Sequence, residues 1–426
     1  MAEPSWLPVH LAHRLDRPTG LPSRVARALI MNRLESIRAG ELTVIDEHGV
    51  RVFGRTDSGL SATVRIHDPS AWTAIALGGS LGAGESYMDG LWSTDDLVAT
   101  VRMLLPTSTR LTNLDGSGIG FVRGTLDGLY HRIRRNTRVG SRRNIAEHYD
   151  LGNDFYRLWL DESMMYSSAI WERDDMTLEQ AQQARLRRIG VKLQLEANDH
   201  VLEIGTGWGA MAIHAAKHFG CRVTTTTISE AQYDLARARV QEEGLQGQVT
   251  VLLEDYRDLR GCYDKLVSIE MIEAVGAEYL PTFFSRVAEL LAPDGLALLQ
   301  AITIPDDRYA QSVGRVDFIK RHVFPGGQLP SLHAMTDAWR QTDLGLLHLE
   351  DFGEHYARTL HEWRARFHAH RAEVEALGYP GRFQRMWDFY LASCEGAFAE
   401  RHCGVSQLLL ARPEARRAPL VAVLEP

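Results

Sequence analysis

The apolar positions of this 426-residue chain follow one rhythm up to about residue 120 and another beyond about residue 177. Near the start, Val25, Leu29, Ile30, Leu34 and Ile37 recur at helical spacing with Arg24, Arg27, Arg33 and Arg38 around them. That pattern predicts a short amphipathic helix over 21–38. Segments 42–46, 50–53 and 62–66 then alternate apolar with polar, which predicts strands with hairpin-type connections. Helical patterns follow at 72–77 and 97–105. The glycine-rich run 78–85 between them lacks the Lys-Ser/Thr ending of a phosphate loop and reads as a turn. Residues 1–120 are thus expected to form a small α+β domain without a catalytic constellation, its last stretch (106–120) a small-residue linker.

The second rhythm alternates strand and helix. A helix is predicted over 177–195, then strands at 201–204, 222–228, 249–253, 263–269 and 296–304, with helices at 232–242 and 277–291 between them. This order predicts an α/β fold, a doubly wound, Rossmann-like parallel sheet with its ligand at the C-terminal strand edges. Its pivot runs from Val201 to Ala210: an apolar strand carrying Glu203, then Gly205, Gly207 and Gly209 on alternate positions, then a helix start. Glycine lets the backbone turn sharply beside a ligand, and free N–H groups at a helix start suit polar or anionic parts of a nucleotide. A dinucleotide site would want an acid about 20 residues further on. The second strand instead ends Thr224-Thr225-Thr226-Thr227-Ile228-Ser229. Glu203 and Asp255 suit S-adenosylmethionine better. One can balance the ammonium and sulfonium charges, and the other can accept from the adenine amine.

Composition narrows the class. With 45% hydrophobic and 24% charged residues, the chain should form two globular domains with a sizeable core. No apolar run is long enough to span a bilayer, and the N-terminus lacks the layout of a signal peptide. Cys221, Cys262, Cys394 and Cys403 are scattered and read as reduced thiols of a cytoplasmic protein. His148 has no ligand-spaced partners, so no metal site is expected. The formal charge of -8 argues against nonspecific nucleic-acid binding. Against that acidity, residues 121–143 form a basic linker segment containing Arg132, Arg134, Arg135, Arg138, Arg142 and Arg143. It reads either as a solvated surface or as a dock for anionic lipid headgroups, at about 1 kcal/mol per basic residue.

Several motifs together resemble the cyclopropane-fatty-acyl-phospholipid synthase family, relatives of the mycolic acid cyclopropane synthases. They are HYDLGNDFY (148–156), MYSSAIW (165–171), LEIGTGWG (202–209), TISEAQ (227–232), EDYRDL (254–259) and SIEMIEAVG (268–276). DFIKRHVFPGGQLPS (317–331), FGEHYARTL (352–360) and the run 390–413 continue the match. The resemblance implies a catalytic domain over 144–426 that adds a methylene group from S-adenosylmethionine across the cis double bond of a phospholipid acyl chain. The alkene attacks the methyl group, and the resulting carbocation must lose a proton before water captures it. The resemblance implies bicarbonate as the base, held by Glu273, the Ile302 backbone and Tyr356. Ser168 and Gln300 stand where Cys and His are common; both can hydrogen-bond a small anion, but Gln cannot titrate. The expected cofactor contacts are Tyr149, Tyr166, Ser167, Glu203, Gly205, Gly207, Thr227, Ile228, Gln232, Asp255 and Tyr256. A homodimer at the inner face of a membrane, on an anionic phospholipid surface, is also implied. The same cation could instead yield a methylene- or methyl-branched chain, and Ser168 with Gln300 would suit a catalytically weakened lipid-binding homologue. The aromatic residues Phe389, Tyr390 and Phe398 read as core.

Overall fold

The computed structural model describes residues 22–55, 59–111, 134, 136–138, 140, 141, 144 and 151–416. The chain divides into two compact units that interleave along the sequence. One comprises Met1–Ile133, Gly314–Pro325 and Leu360–His402; the other comprises Arg134–Val313, Gly326–Thr359 and Cys403–Pro426. The sequence-based boundaries at 120 and 143 leave 144–426 continuous.

In the first unit, β1 (Gly40–Asp46), β2 (Gly49–Arg55), β3 (Ser61–Ile66) and β4 (Trp92–Thr94) form a sheet in the order β2-β1-β3-β4. β1 and β2 make a hairpin, but β3 lies parallel to β1 rather than continuing the meander. That register pairs Leu42 with Ala62 and Val44 with Val64, so alternate residues of both strands enter one core. The helix Ser23–Leu34 buries Ala26, Met31 and Leu34, with Ile37 beyond its end. Val25 and Leu29 are 47% and 48% exposed, so the apolar stripe is rotated from the one the sequence pattern predicts. Small Ala26 sits on the inner face, where a helix can approach its neighbour closely.

The glycine-rich run is not a plain turn. Helix Ser70–Met88 breaks at Gly79 (φ 55°, ψ -133°) and then resumes through Gly82 and Gly84. A Cβ at Gly82 would lie 1.9 Å from the Ala74 carbonyl oxygen, and one at Gly84 would lie 2.3 Å from the Phe318 ring. Phe318 in turn meets Phe389 edge-on at 4.7 Å. The glycines therefore buy close packing. Phe389, Tyr390 and Phe398 are buried, as core aromatics should be.

The second unit is built on a seven-stranded sheet. Its strands are β5 (His200–Ile204), β6 (Arg222–Thr227), β7 (Val249–Leu253), β8 (Tyr263–Ile269), β9 (Leu291–Thr303), β10 (Gly345–Asp351) and β11 (Gly404–Ala411). The order is β10-β11-β9-β8-β5-β6-β7, with β5 to β9 parallel and β11 antiparallel to both neighbours. The parallel part matches the predicted strands; β10 and β11 were not anticipated. Helix Leu178–Leu193 opens with a capping box between Thr177 and Gln180. Helix Leu280–Leu290 buries Phe283, Phe284 and Val287, each such side chain stabilising by roughly 1.5–3 kcal/mol. Strand order reverses between β5 and β8, and the crevice outside their C-terminal ends is where such sheets bind ligands.

Within the basic segment, Arg134 is buried and its backbone oxygen accepts from Asn144, while Arg138 is exposed and pairs with Asp258 at 2.6 Å. Arg134 therefore does not belong to a solvated basic surface. Arg132, Arg135, Arg142, Arg143, His148 and Tyr149 lie outside the described residues. Among the described residues, no helix is long and apolar enough to cross a membrane.

Candidate functional site

The turn after β5 has the geometry its glycines demand. Gly205, Gly207 and Gly209 adopt φ of 102°, 51° and 91°, and the N–H groups of Gly205 and Thr206 both donate to the Thr226 oxygen at 3.0 Å. A Cβ at Gly205 would stand 3.2 Å from Met271, so the ends of β5 and β8 approach closely here. Glu203 is buried, and its Oε2 accepts from Thr225 Oγ1 at 2.6 Å. Burial pushes this carboxyl up to about 8, against the pull of the Thr225 hydroxyl and the Arg185 charge. Such a group gains by meeting a cation.

Around this turn, Thr227 Oγ1 donates to Gln232 Oε1 at 2.8 Å and accepts from Ser229 N, and half-buried Ile228 lies between them in sequence. Tyr166 packs against Tyr156 and Trp159 at ring distances of 5.6 and 5.2 Å, and Tyr156 meets Trp208 of the turn at 5.1 Å. Buried Ser167 accepts from Gln182 through its backbone oxygen. Asp255 is more fully engaged than its expected adenine role required. Both its oxygens accept from Arg257, at 2.8 and 2.6 Å, whose guanidinium lies over the Tyr256 and Tyr279 rings. Although burial opposes ionisation, these hydrogen bonds hold the Asp255 carboxyl below its ordinary range.

After β8 the chain builds a second buried polar cluster. It joins Ser168, Gln300 and Tyr356 through a residue that was not singled out in the sequence, Glu270. Glu270 Oε1 accepts from Ser168 N at 2.9 Å and Gln300 Nε2 at 2.7 Å, and Oε2 accepts from the Tyr356 hydroxyl at 2.7 Å. Ser168 serves through its backbone; its hydroxyl donates to Ala169 O instead. Gln407 Nε2 donates to Gln300 Oε1 at 3.1 Å, which aims the other end of the Gln300 amide at Glu270. Glu270 itself sits at φ 48°, a conformation that costs an ordinary residue on the order of 1–2 kcal/mol. Its N–H donates to Gln300 O at 2.7 Å, tying the strained residue to β9.

Glu273 and Ile302 form the neighbouring pair. Ile302 N donates to Glu273 Oε1 at 2.5 Å, while Glu273 Oε2 is buried with no hydrogen-bond partner among the described residues. Burial, and then the negative charge of Glu270, push the Glu273 carboxyl up to about 8. The Glu270 carboxyl is also raised by burial, opposed by Tyr356, Gln300, Ser168 and Arg185. Arg185 is fully buried, donates to Gln182 Oε1 at 2.9 Å, and has Nε and Nη1 without partners among the described residues. Desolvation pulls this guanidinium down to about 10.

The expected bicarbonate ligands therefore do come together, but three of them converge on a carboxylate of the chain. Of these expected ligands, Glu273 Oε2 alone keeps open capacity among the described residues, and the negative charge of Glu270 in the same cluster opposes a second anion. The donors present do not fit an external carbonate ion. A Glu directly after a β-rich strand was the one available signal for Glu270; its left-handed backbone was invisible in the sequence.

Comparison with known proteins agrees with this geometry. The family model for mycolic acid cyclopropane synthetase matches residues 136–408. The chain is 36% identical over 402 residues to tuberculostearic acid methyltransferase of Mycobacterium tuberculosis, covering 92% of this chain and 93% of that protein. It is 36% identical over 363 residues to cyclopropane-fatty-acyl-phospholipid synthase of Escherichia coli, covering 82% and 88%. Cyclopropane synthase MmaA2 from Mycobacterium tuberculosis superposes with a TM-score of 0.60 at 31% identity, over 63% of this chain and 98% of that one. The cyclopropane synthase CmaA1 complexed with SAH and CTAB matches equally, at 0.60 and 31% over the same shares. A parallel sheet with a triple-glycine turn, a buried acid before it and these relatives identify an S-adenosylmethionine-dependent methyltransferase, and the chain belongs to the mycolic acid cyclopropane synthetase family.

Proposed function

We propose that this enzyme methylates the cis double bond of an unsaturated phospholipid acyl chain and closes a cyclopropane ring by removing a proton from the resulting cation. The observation that carries this reading is the pairing of two strand ends: a glycine turn with Glu203 after β5, and buried Glu270 and Glu273 after β8. When bound, S-adenosylmethionine supplies an electrophilic methyl group. Glu203 would offset its positive charge, Gly205 and Gly207 would let the backbone approach it, and Thr227, Ile228 and Gln232, from the end of β6 into the helix Glu230–Glu242, would help hold it. Tyr166 and its aromatic neighbours present ring faces that stabilise a passing cation. The carboxyl cluster receives the proton, and no step is routed through an external carbonate.

A phospholipid acceptor implies peripheral docking on a bilayer, in this reading as a homodimer at the anionic inner face of the cytoplasmic membrane. A second reading keeps the cation but yields a methylene-branched chain, which a separate hydride donor would have to reduce to give a methyl branch. The relative matched over 402 residues, which is named a methyltransferase rather than a cyclopropane synthase, favours keeping it. Incubation of the purified protein with S-adenosylmethionine and vesicles of dioleoylphosphatidylglycerol tests both. Release of S-adenosylhomocysteine with cyclopropane ring protons in the lipid NMR spectrum is the expected result. Exocyclic methylene protons would replace the first reading by the second. No S-adenosylhomocysteine from any unsaturated lipid would overturn both and leave a lipid-binding homologue.

A further inference from the structure

Sequence resemblance implied a diffusible anion as the base, yet the donors for such an anion already end on a side chain. We propose that Glu270 is the proton acceptor, a base built into the chain in place of an external carbonate ion; the inference rests on the alkene methylation proposed above. Its carboxylate has the planar O–C–O geometry of bicarbonate, and three donors position it: Ser168 N, Gln300 Nε2 and the Tyr356 hydroxyl.

Lone pairs decide which oxygen acts. Each carboxylate oxygen can accept about two hydrogen bonds. Oε1 already accepts two, whereas among the described residues Oε2 accepts only that of Tyr356, so Oε2 retains room for a proton. Glu273 is the competing candidate. Only backbone N–H groups, of Ile302 and of Glu273 itself, act on it among the described residues, beside the negative charge of Glu270, so it holds its proton near neutral pH. Burial raises the Glu270 carboxyl too, but three donors and the buried Arg185 charge oppose that rise, so Glu270 is the member of the pair whose carboxylate form is the better held. A tethered base also avoids the entropy of recruiting a free anion.

The backbone points the same way. A non-glycine residue in the left-handed region persists only where its surroundings hold it, and such strain clusters at functional sites. In the step itself, a C–H bond of the transferred carbon breaks. Its electron pair forms the second C–C bond to the cationic carbon, and the proton passes to Glu270 Oε2. If a 1,2-hydride shift first moves the cation onto the methyl-bearing carbon, the same C–H pair forms an exocyclic double bond and the proton takes the same path.

The test uses full-length protein, S-adenosylmethionine and dioleoylphosphatidylglycerol vesicles in argon-sparged buffer, with and without added sodium bicarbonate. Wild-type turnover should be indifferent to bicarbonate. Glu270→Gly removes the carboxylate at a position whose φ suits glycine, so the fold should survive. Its turnover should fall by roughly 10²–10⁴-fold, and bicarbonate entering the vacated cage should restore part of it. Glu270→Gln fills the cage with a neutral amide and should show the loss without rescue. Melting temperature and S-adenosylmethionine affinity near wild type in either variant exclude misfolding. Wild-type activity that disappears on sparging and returns with bicarbonate would overturn the proposal, as would a Glu270→Gly variant of wild-type rate in sparged buffer. Absence of wild-type turnover under both conditions would instead indict the underlying reaction, so the two failures are distinguishable.

Discussion

β5 brings Glu203 to the glycine turn with the Thr225 hydroxyl as its side-chain donor, whereas β8 is followed by Glu270 with three donors, the Gln300 and Tyr356 side chains among them, and by Glu273 with backbone donors alone among the described residues. All three are buried glutamates near the C-terminal ends of adjacent strands, yet their surroundings assign them different work. Glu203 and Glu273 are both pushed up to about 8 by desolvation. For Glu203 a cationic ligand would restore ionisation. For Glu273 the nearest charge is another carboxylate, so the proton stays. Donor count and neighbouring charge, not residue type, separate a cation-binding acid from a proton acceptor.

The sharpest way to break this comparison is to neutralise each end in turn. Glu270→Gln should lower kcat by roughly 10²–10⁴-fold with little change in S-adenosylmethionine affinity. Glu203→Gln should do the reverse, weakening cofactor binding about tenfold or more, as loss of a charge-assisted contact of 1.5–3 kcal/mol requires. Titration calorimetry and single-turnover kinetics on both variants check it; equal loss of binding and rate in both would erase the distinction.

A pH series sharpens it further. Cofactor affinity should tighten by up to about tenfold per unit as pH rises toward the Glu203 value of about 8, and this dependence should vanish in Glu203→Gln. The apo protein should respond with the opposite sign. A carboxyl raised in the folded state favours folding below its ordinary range of about 4.5, and that contribution is lost as pH climbs through about 8. Melting temperature should therefore fall between pH 6 and 9, and fall less in Glu203→Gln.

Gly205→Ala probes the approach of the two ends. Its φ of 102° and the 3.2 Å contact with Met271 predict a loss of about 1–3 kcal/mol in thermal stability together with weaker cofactor binding. The smallest effect belongs outside the crevice. Arg138→Ala removes an exposed pair with Asp258 and should cost at most about 1 kcal/mol in denaturant unfolding.

Much of the catalytic unit was legible in the chain because its signals are local. Apolar runs at strand length, the glycines at 205, 207 and 209, and the Thr177 and Ser229 caps each act within a few residues. The misreadings have long-range causes. β11 was missed although it is buried almost throughout, because its pairing with β9 joins segments about a hundred residues apart. The 78–85 glycines read as a turn because the Phe318 ring that requires Gly84 is distant in sequence. The amphipathic helix was assigned correctly in type but not in orientation, since pattern alone weighs Val25 and Leu29 above the small Ala26 that lies inside.

The same division runs through the site. Residue order sufficed to predict a strand, a glycine turn with an acid beside it, and a set of polar residues in recurring motifs. Which anion those residues hold was a matter of folding. Ser168, Gln300 and Tyr356 lie 102, 30 and 86 positions from Glu270, and only the parallel register of β8 beside β9, with the flanking segments packed around it, aims their donors at one carboxylate. A hydrogen bond is set by distance and angle in space, and no local pattern carries that information.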